Sequence, residues 1–265
     1  MPEKWAKILL QSIPFSNIIK NDKADIYIEQ HNNNYARIYI KNYGVSGEVI
    51  NIKYLIFRIF VEIEELFFKK ISCNNDKTIA LHGGGIIYKD RGILVIQNKG
   101  AGKTTLIAKM SSLDNVQYLA DDLIICDGTK VQGVALPMRL RNISIDGLML
   151  NGKIVTKCFD FNDQYRYIYK PNCSHEIRSV PIGCFVLPDY SANNENKIVE
   201  LKGKDKINEI IKQTKKTKSL KNLFLSVLNF KNIPVYKLKY NDLAIIESFL
   251  NKKFKKDLKG SYNLC

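Results

Sequence analysis

Apolar and polar positions alternate along the first part of the chain. "DIYIEQ", "ARIYIKN" and "GEVINI", between residues 25 and 52, change character at nearly every step, and "HNNN" and "GVSG" divide them. Three short strands are expected there. From 53 to 71 the period becomes helical, with Leu55, Ile59, Ile63, Leu66 and Phe67 on one stripe, and "CNNDK" ends it. At Thr78 the texture changes again. "TIALHGGGIIY" reads as a strand or strand pair interrupted by three glycines, "KDRG" as a turn, and "ILVIQ" as a buried strand. The loop "NKGAG" opens a helix from Lys103 to about Ser112, with Leu106, Ile107 and Met110 inward. "VQYLADDLIICDG" places one strand before Asp121 and another after Asp122.

Later strands are expected at "KVQGVAL", "VPIGCFVL", "NKIVEL" and "IPVYKLKY", and helices over about 204–217, 220–229 and 241–255. Strands and helices in this order give an α/β core over residues 76–265, preceded by a small β-rich subdomain over 1–75 that ends in a helix.

Composition sharpens this picture only in part. Of 265 residues 45% are hydrophobic, enough for a real core. The longest apolar run, "YLIFRIFVEIEELFF", is broken by Arg58, Glu62, Glu64 and Glu65, so no membrane span is expected. The N-terminus carries an acidic residue and no small-residue cleavage site, and a cytoplasmic location is the expectation. None of the six cysteines forms a C-x-x-C pair, which argues against zinc. Cys126 and Cys184 lie in apolar runs and read as core, whereas Cys173 and His175 read as loop.

The net charge of +15 suggests an anionic partner: nucleic acid, an acidic peptide or a membrane surface. Lysines crowd 212–221 and 251–259, on expected helices or their ends, but form no single stripe. Phe224 and Phe230 stand at core-like spacing. An acidic peptide or plain solvation therefore fits better than RNA, although nucleic acid is not excluded. No membrane partner is expected, and a homo-oligomer is left open.

The chemistry concentrates at "VIQNKGAGKTTLIAKM". The phosphate-loop pattern is G-x-x-x-x-G-K-[ST], and Gly102, Lys103 and Thr104 supply its second half. Gln97 stands where the first glycine belongs. A glycine-rich turn between a strand and a helix aims unpaired N–H groups at an anion, so Asn98, Lys99, Gly100, Ala101, Gly102, Lys103, Thr104 and Thr105 form the expected cradle. Gln97 is compatible with it if Asn98 takes any left-handed position. Asp121 and Asp122 end a strand, as a metal-holding carboxylate does, or form a solvated turn. His82 precedes the three glycines one strand ahead of the loop. Arg139 and Arg141 in "PMRLR" share one strand face, suited to a phosphate or an acidic substrate, or to water.

Taken together, "LHGGGIIYKDRGILVIQNKGAGKTTLIAKM" and "YLADDLIICDG" resemble the HPr kinase family, and more closely its shorter relatives found beside peptide-modifying genes. The likeness is specific over 79–128 and continues loosely through "VALPMRLR", "RSVPIGCFVLPDY" and "IPVYKLKY". It implies a PEP-carboxykinase-like, HPr-kinase-like P-loop core with a mixed sheet, and a serine kinase acting on a peptide or small protein. By position, Asp122 matches the catalytic carboxylate, His82 the active-site histidine, Lys103 the phosphate-binding lysine and Thr104 the metal-binding hydroxyl. Asp121 is the neighbouring carboxylate, assigned to the metal. The implied cofactors are ATP, with GTP and pyrophosphate as other donors, and Mg²⁺.

Gln97 departs from the pattern, as does Thr105, where HPr kinases carry an acidic residue. The family's later metal-binding glutamate has no evident counterpart, and HPr itself is not the expected acceptor. The other readings are a small-molecule or RNA hydroxyl kinase, and a non-catalytic nucleotide-binding regulator.

Overall fold

The structure is a computed structural model that describes residues 26–30, 35–40, 48–51, 54–72, 77–141, 152–160, 162, 164–171, 179–217 and 219–254. Strands β1 (Ile26–Gln30), β2 (Tyr35–Ile40) and β3 (Glu48–Asn51) form an antiparallel three-stranded sheet in chain order. Helix α1 (Leu55–Ser72) follows. Its buried stripe runs through Leu55, Ile56, Ile59, Phe60, Ile63 and Phe68. Leu66 and Phe67, expected inside, are only partly covered, while Glu62 and Glu64 are buried.

The remaining elements are β4 (Thr78–Tyr88), β5 (Arg91–Ile96), α2 (Lys103–Ser111), β6 (Val116–Ala120), β7 (Leu123–Asp127), β8 (Lys130–Gly133), β9 (Met138–Leu140), β10 (Gly152–Phe159), β11 (Tyr165–Pro171), β12 (Val180–Tyr190), β13 (Lys197–Leu201), α3 (Gly203–Lys212), β14 (Thr214–Thr217), α4 (Leu220–Asn229), a short 3₁₀ turn (Phe230–Asn232), β15 (Val235–Tyr240) and α5 (Ile245–Phe254). A nine-stranded mixed sheet runs β13-β15-β12-β5-β4-β7-β8, with β6 and β14 also paired to β4. Strand β12 is parallel to β5 and β15, and β8 returns to pair the first residues of β12. Strands β10, β11 and β9 make a separate small sheet.

Period-two alternation on β5 shows how the large sheet is covered. Ile93 and Val95 face one core with Leu106, Ile107 and Met110 of α2 and Phe249 and Leu250 of α5. Leu94 and Ile96 face the other, with Ile210 of α3 and Phe230. Helices on both faces of a mixed sheet give three layers, an α/β arrangement. Helix α1 covers the β4–β7 flank, where Phe68 meets Ala80, Leu123 and Ile125.

Several sequence expectations are corrected here. "TIALHGGGIIY" is one unbroken strand, because its glycines serve close packing and do not turn the chain. A Cβ on Gly84 would lie 2.4 Å from the Ala120 carbonyl oxygen and 2.8 Å from the Asp121 Cα, so only glycine lets the β6–β7 junction approach. The helix expected over 204–217 stops at Lys212, and Thr214–Thr217 pairs with β4 instead. The strand at "KVQGVAL" ends at Gly133, and the closing helix starts only at Ile245. Phe230 is buried as expected, but Phe224 is 65% exposed.

Cys126 and Cys184 are fully buried, and burial pushes both thiols well above their usual range. Cys173, His175 and residues 255–259 of the second lysine cluster lie outside the described residues. Among the described residues no helix is long and apolar enough to cross a membrane.

Candidate functional site

Strand β5 ends at Ile96, and the chain curls through residues 97–102 into α2. The Ala101 N–H donates to the Asn98 carbonyl at 3.3 Å. Gly100 (φ 92°) and Gly102 (φ 86°) take the left-handed conformations of this turn. Asn98 is not left-handed, which corrects the expectation for that position. Gln97 contributes through its side chain, whose Oε1 accepts the Asn98 N–H at 3.0 Å. The exit from the strand is thereby fixed without a glycine at 97. The first turn of α2 then presents N–H groups that the helix itself does not use. Lys103 Nζ folds back across the loop and donates to the carbonyls of Gln97 (2.7 Å) and Asn98 (3.1 Å). Burial lowers its pKa, opposed by Asp122 and Asp121.

The two aspartates part company at the β6–β7 junction. The Leu123 N–H donates to the Asp121 carbonyl at 2.9 Å, closing a three-residue turn around Asp122. Asp122 sits at φ 67°, a left-handed conformation that aspartate tolerates better than most side chains. As a result the adjacent carboxylates meet different partners. Asp121 is buried against α2, where Thr104 Oγ1 donates to its Oδ1 at 3.3 Å. Asp122 is half-exposed and paired with Arg139.

His82 follows Ala80 on the face of β4 that α1 covers. Its Nδ1 lies 3.3 Å from the Asp122 carbonyl oxygen. A carbonyl only accepts, so Nδ1 carries the proton and Nε2 keeps a lone pair. Burial and then the Lys103 ammonium lower the His82 pKa, against the pull of Asp122, and hold the ring neutral.

Arg139, from β9, joins this group to α1. Its Nη2 donates to Glu64 Oε1 at 3.1 Å and to Asp122 Oδ2, and its guanidinium stands 4.8 Å from the centre of the Phe57 ring. Among the described residues its buried Nη1 has no hydrogen-bond partner. Lys215 of β14 approaches Glu64 at 3.7 Å. Burial raises the Glu64 pKa despite Arg139. Burial acts in the same direction on Asp122, but Arg139, His82 and Lys215 together bring its pKa below the ordinary value. Gln213 closes the edge: its carbonyl accepts the His82 N–H at 2.7 Å, and its Nε2 donates to Asn98 Oδ1 at 3.1 Å.

The loop, Lys103, Thr104, Asp121, Asp122 and His82 therefore lie together, and Arg139 joins them. Arg141 is exposed and outside the group. Glu64, Gln213 and Lys215 were not anticipated from sequence. For Glu64 a signal existed, because it falls at i+4 from Phe60 and i−4 from Phe68 on the buried face of α1. Among the described residues no three His, Cys, Asp or Glu side chains cluster as a metal-binding group.

Asp121 gives a pH test. Burial, with Asp122 beside it, pushes its carboxyl up to about 7 against Arg139 and Thr104. A carboxyl raised in the fold favours the native state while protonated. The unfolded chain releases that proton near the usual carboxylate value, so stability falls as pH rises from about 4 to about 7. Asp121→Asn removes the penalty. Without metal or nucleotide, it is expected to raise the melting temperature at pH 8 by about 3 °C or more, with a smaller change at pH 4. Calorimetry at both pH values checks this, and an equal shift at both would count against the raised carboxyl.

No protein-family model matches the chain, and no curated protein is similar to it in sequence. Among solved structures it is similar to the HPr(Ser) kinase/phosphatase from Coxiella burnetii, covering 68% of this chain and 99% of that one at 10% identity. The TM-score of 0.30 is too low to establish a shared fold.

Proposed function

We propose that the chain is a phosphotransferase that moves the γ-phosphoryl group of ATP to a hydroxyl, with a serine of a peptide or small protein as acceptor. The observation that carries this reading is the convergence of five groups on one loop. Left-handed glycines curl the chain into the N-terminus of α2, Lys103 lies across the curl, and Thr104, Asp121 and Asp122 stand beside it. A P-loop core is part of the proposal.

Each group has a role set by its surroundings. Backbone N–H groups of residues 99, 100 and 102–105 would bind the β- and γ-phosphates at the helix N-terminus, since those of Asn98 and Ala101 already bond within the loop. Lys103 already bridges two loop carbonyls, and phosphate oxygens would replace them as its partners. Thr104 and Asp121 offer hard oxygen donors 3.3 Å apart, a set that fits Mg²⁺ completed by phosphate oxygens. Bound there, Mg²⁺ would neutralise charge on the phosphates. Asp122, ionised at neutral pH, orients the acceptor hydroxyl and takes its proton. A weak base suffices, because the transition state is loose and the proton leaves late. His82, neutral with a lone pair on Nε2, can accept a hydrogen bond from a bound water beside the acceptor hydroxyl.

Transfer of label from γ-labelled ATP to serine peptides tests the activity. Lys103→Ala tests the loop. It is expected to weaken ATP–Mg²⁺ binding by about tenfold or more in titration calorimetry, the loss of a charge-assisted contact. Unchanged affinity would remove the phosphate-loop assignment.

A further inference from the structure

The exposed face of α4 is anomalous for a folded chain. Leu220, Phe224 and Leu228 recur every fourth residue, and Leu225 lies beside them. Leu220 is 83% and Phe224 65% exposed, while Val227 and Phe230 point into the core. Ile211, on the neighbouring α3, is exposed as well. Scattered exposed leucines are ordinary, but four large apolar side chains on one helical face mark a surface that is covered in use.

Charge indicates what covers it. Residues 203–231 carry eight lysines against two carboxylates, Asp205 and Glu209. Lys204, Lys212, Lys215, Lys221 and Lys231 are exposed, and Glu209 is engaged by Lys212 at 2.7 Å. A second copy of the same face would set lysines against lysines, which is unfavourable across an interface.

Position then selects between a polypeptide and a lipid surface. Strand β14, which leads into α4, lies on the candidate site: Gln213 just before it bonds Asn98 and His82, and Lys215 faces Glu64. Four residues separate Lys215 from Leu220. An extended chain advances about 3.3 Å per residue, so a polypeptide seated on α4 has Asp122 within reach of a short segment.

We propose that the α4 face, rimmed by lysines, is the docking surface for an acidic amphipathic segment of the acceptor polypeptide. Its Leu or Phe side chains would cover Leu220, Phe224, Leu225 and Leu228, and its carboxylates would meet the lysine rim. This rests on the phosphotransfer reading for its purpose, though not for its test.

The probes are two fluorescein-labelled helical peptides, each containing one serine and sharing Leu and Phe spacing. One carries Glu and the other Lys at its polar positions. Binding is read by anisotropy against the wild-type chain, the variant Leu220→Ser/Phe224→Ser/Leu228→Ser, and Lys221→Glu. These substitutions are at exposed positions, and matching circular-dichroism spectra and melting curves of all three proteins confirm an intact fold. The Glu peptide is expected to bind the wild type, with affinity falling about tenfold or more in the triple variant, as for lost interface anchors. The Lys peptide is expected not to bind.

Equal binding of both peptides, or full binding by the triple variant, overturns the proposal. So does binding to phosphatidylserine vesicles through this face without peptide binding, which would make it a membrane surface. Self-association abolished by the triple variant would make it a dimer interface, with the same consequence. If the Glu peptide docks but label from ATP reaches no hydroxyl, phosphotransfer fails and the peptide-binding face stands. If free serine peptides are labelled while the Glu peptide ignores α4, the face fails and phosphotransfer stands.

Discussion

Asp122→Asn is expected to lower phosphoryl transfer by roughly 10²-fold or more, the usual loss for a positioned acid–base group, while ATP affinity stays within a few-fold. The asparagine keeps the shape and can still accept from Arg139, so the fold and the loop are undisturbed. What it loses is the lone pair that receives the hydroxyl proton. Because Arg139, His82 and Lys215 hold the Asp122 carboxyl below its ordinary value, the acid limb of turnover should lie below the usual carboxylate range. Single-turnover transfer from labelled ATP, with nucleotide titration alongside, separates chemistry from binding. If Asp122→Asn is silent and Asp121→Asn removes transfer, the two roles are exchanged.

Arg139→Ala is expected to destabilise the native state by about 3–5 kcal/mol, the cost of leaving the buried Glu64 carboxylate without its closest cation. The Arg139 and Glu64 side chains are only 8% and 6% exposed, so water replaces little of the lost interaction. The guanidinium also lies against Phe57 and Phe60, and its removal opens a gap between α1 and β9. Urea unfolding at neutral pH measures the loss. In a Glu64→Gln background the same substitution should cost less, because no buried charge is stranded. A loss below about 1 kcal/mol in the wild-type background would show the cluster to be solvated.

The parts of the fold legible in sequence are those where one signal dominates. "ILVI" is apolar throughout because β5 is covered on both faces, and Gly100 and Gly102 mark a turn that needs positive φ. Lys103 and Thr104 could be named because they follow that turn, and Asp121 and Asp122 because paired aspartates end an apolar strand. Legibility failed where a side chain's environment comes from distant chain. Glu64 looked like an interruption of an apolar run, and Arg139, 75 residues away, with Lys215 of β14 makes its burial tolerable. The expected helix runs on through "TKKT", but the two β-branched threonines there suit a strand, and the backbone of this segment pairs with β4 instead. Phe224 has core-like spacing but faces outward, since Ser226 and Val227 supply the inner side of α4. The alternation in "YRYIYKP" was present and unread, and β10–β11 was missed with it.

The ladder around β4 and β5 also constrains the order in which the chain can mature. Strand β5 lies between β4 and β12, so its second neighbour is about ninety residues downstream. The first residues of β4 wait longer still, for β14 at 214–217. A nascent chain that has just exposed residues 97–105 holds the loop sequence without the walls that shape it. Pairings of such sequence separation are slow to close. Ribosome-stalled chains ending before 180 should therefore lack a formed loop, and competence should appear only once β12 and β14 have both emerged.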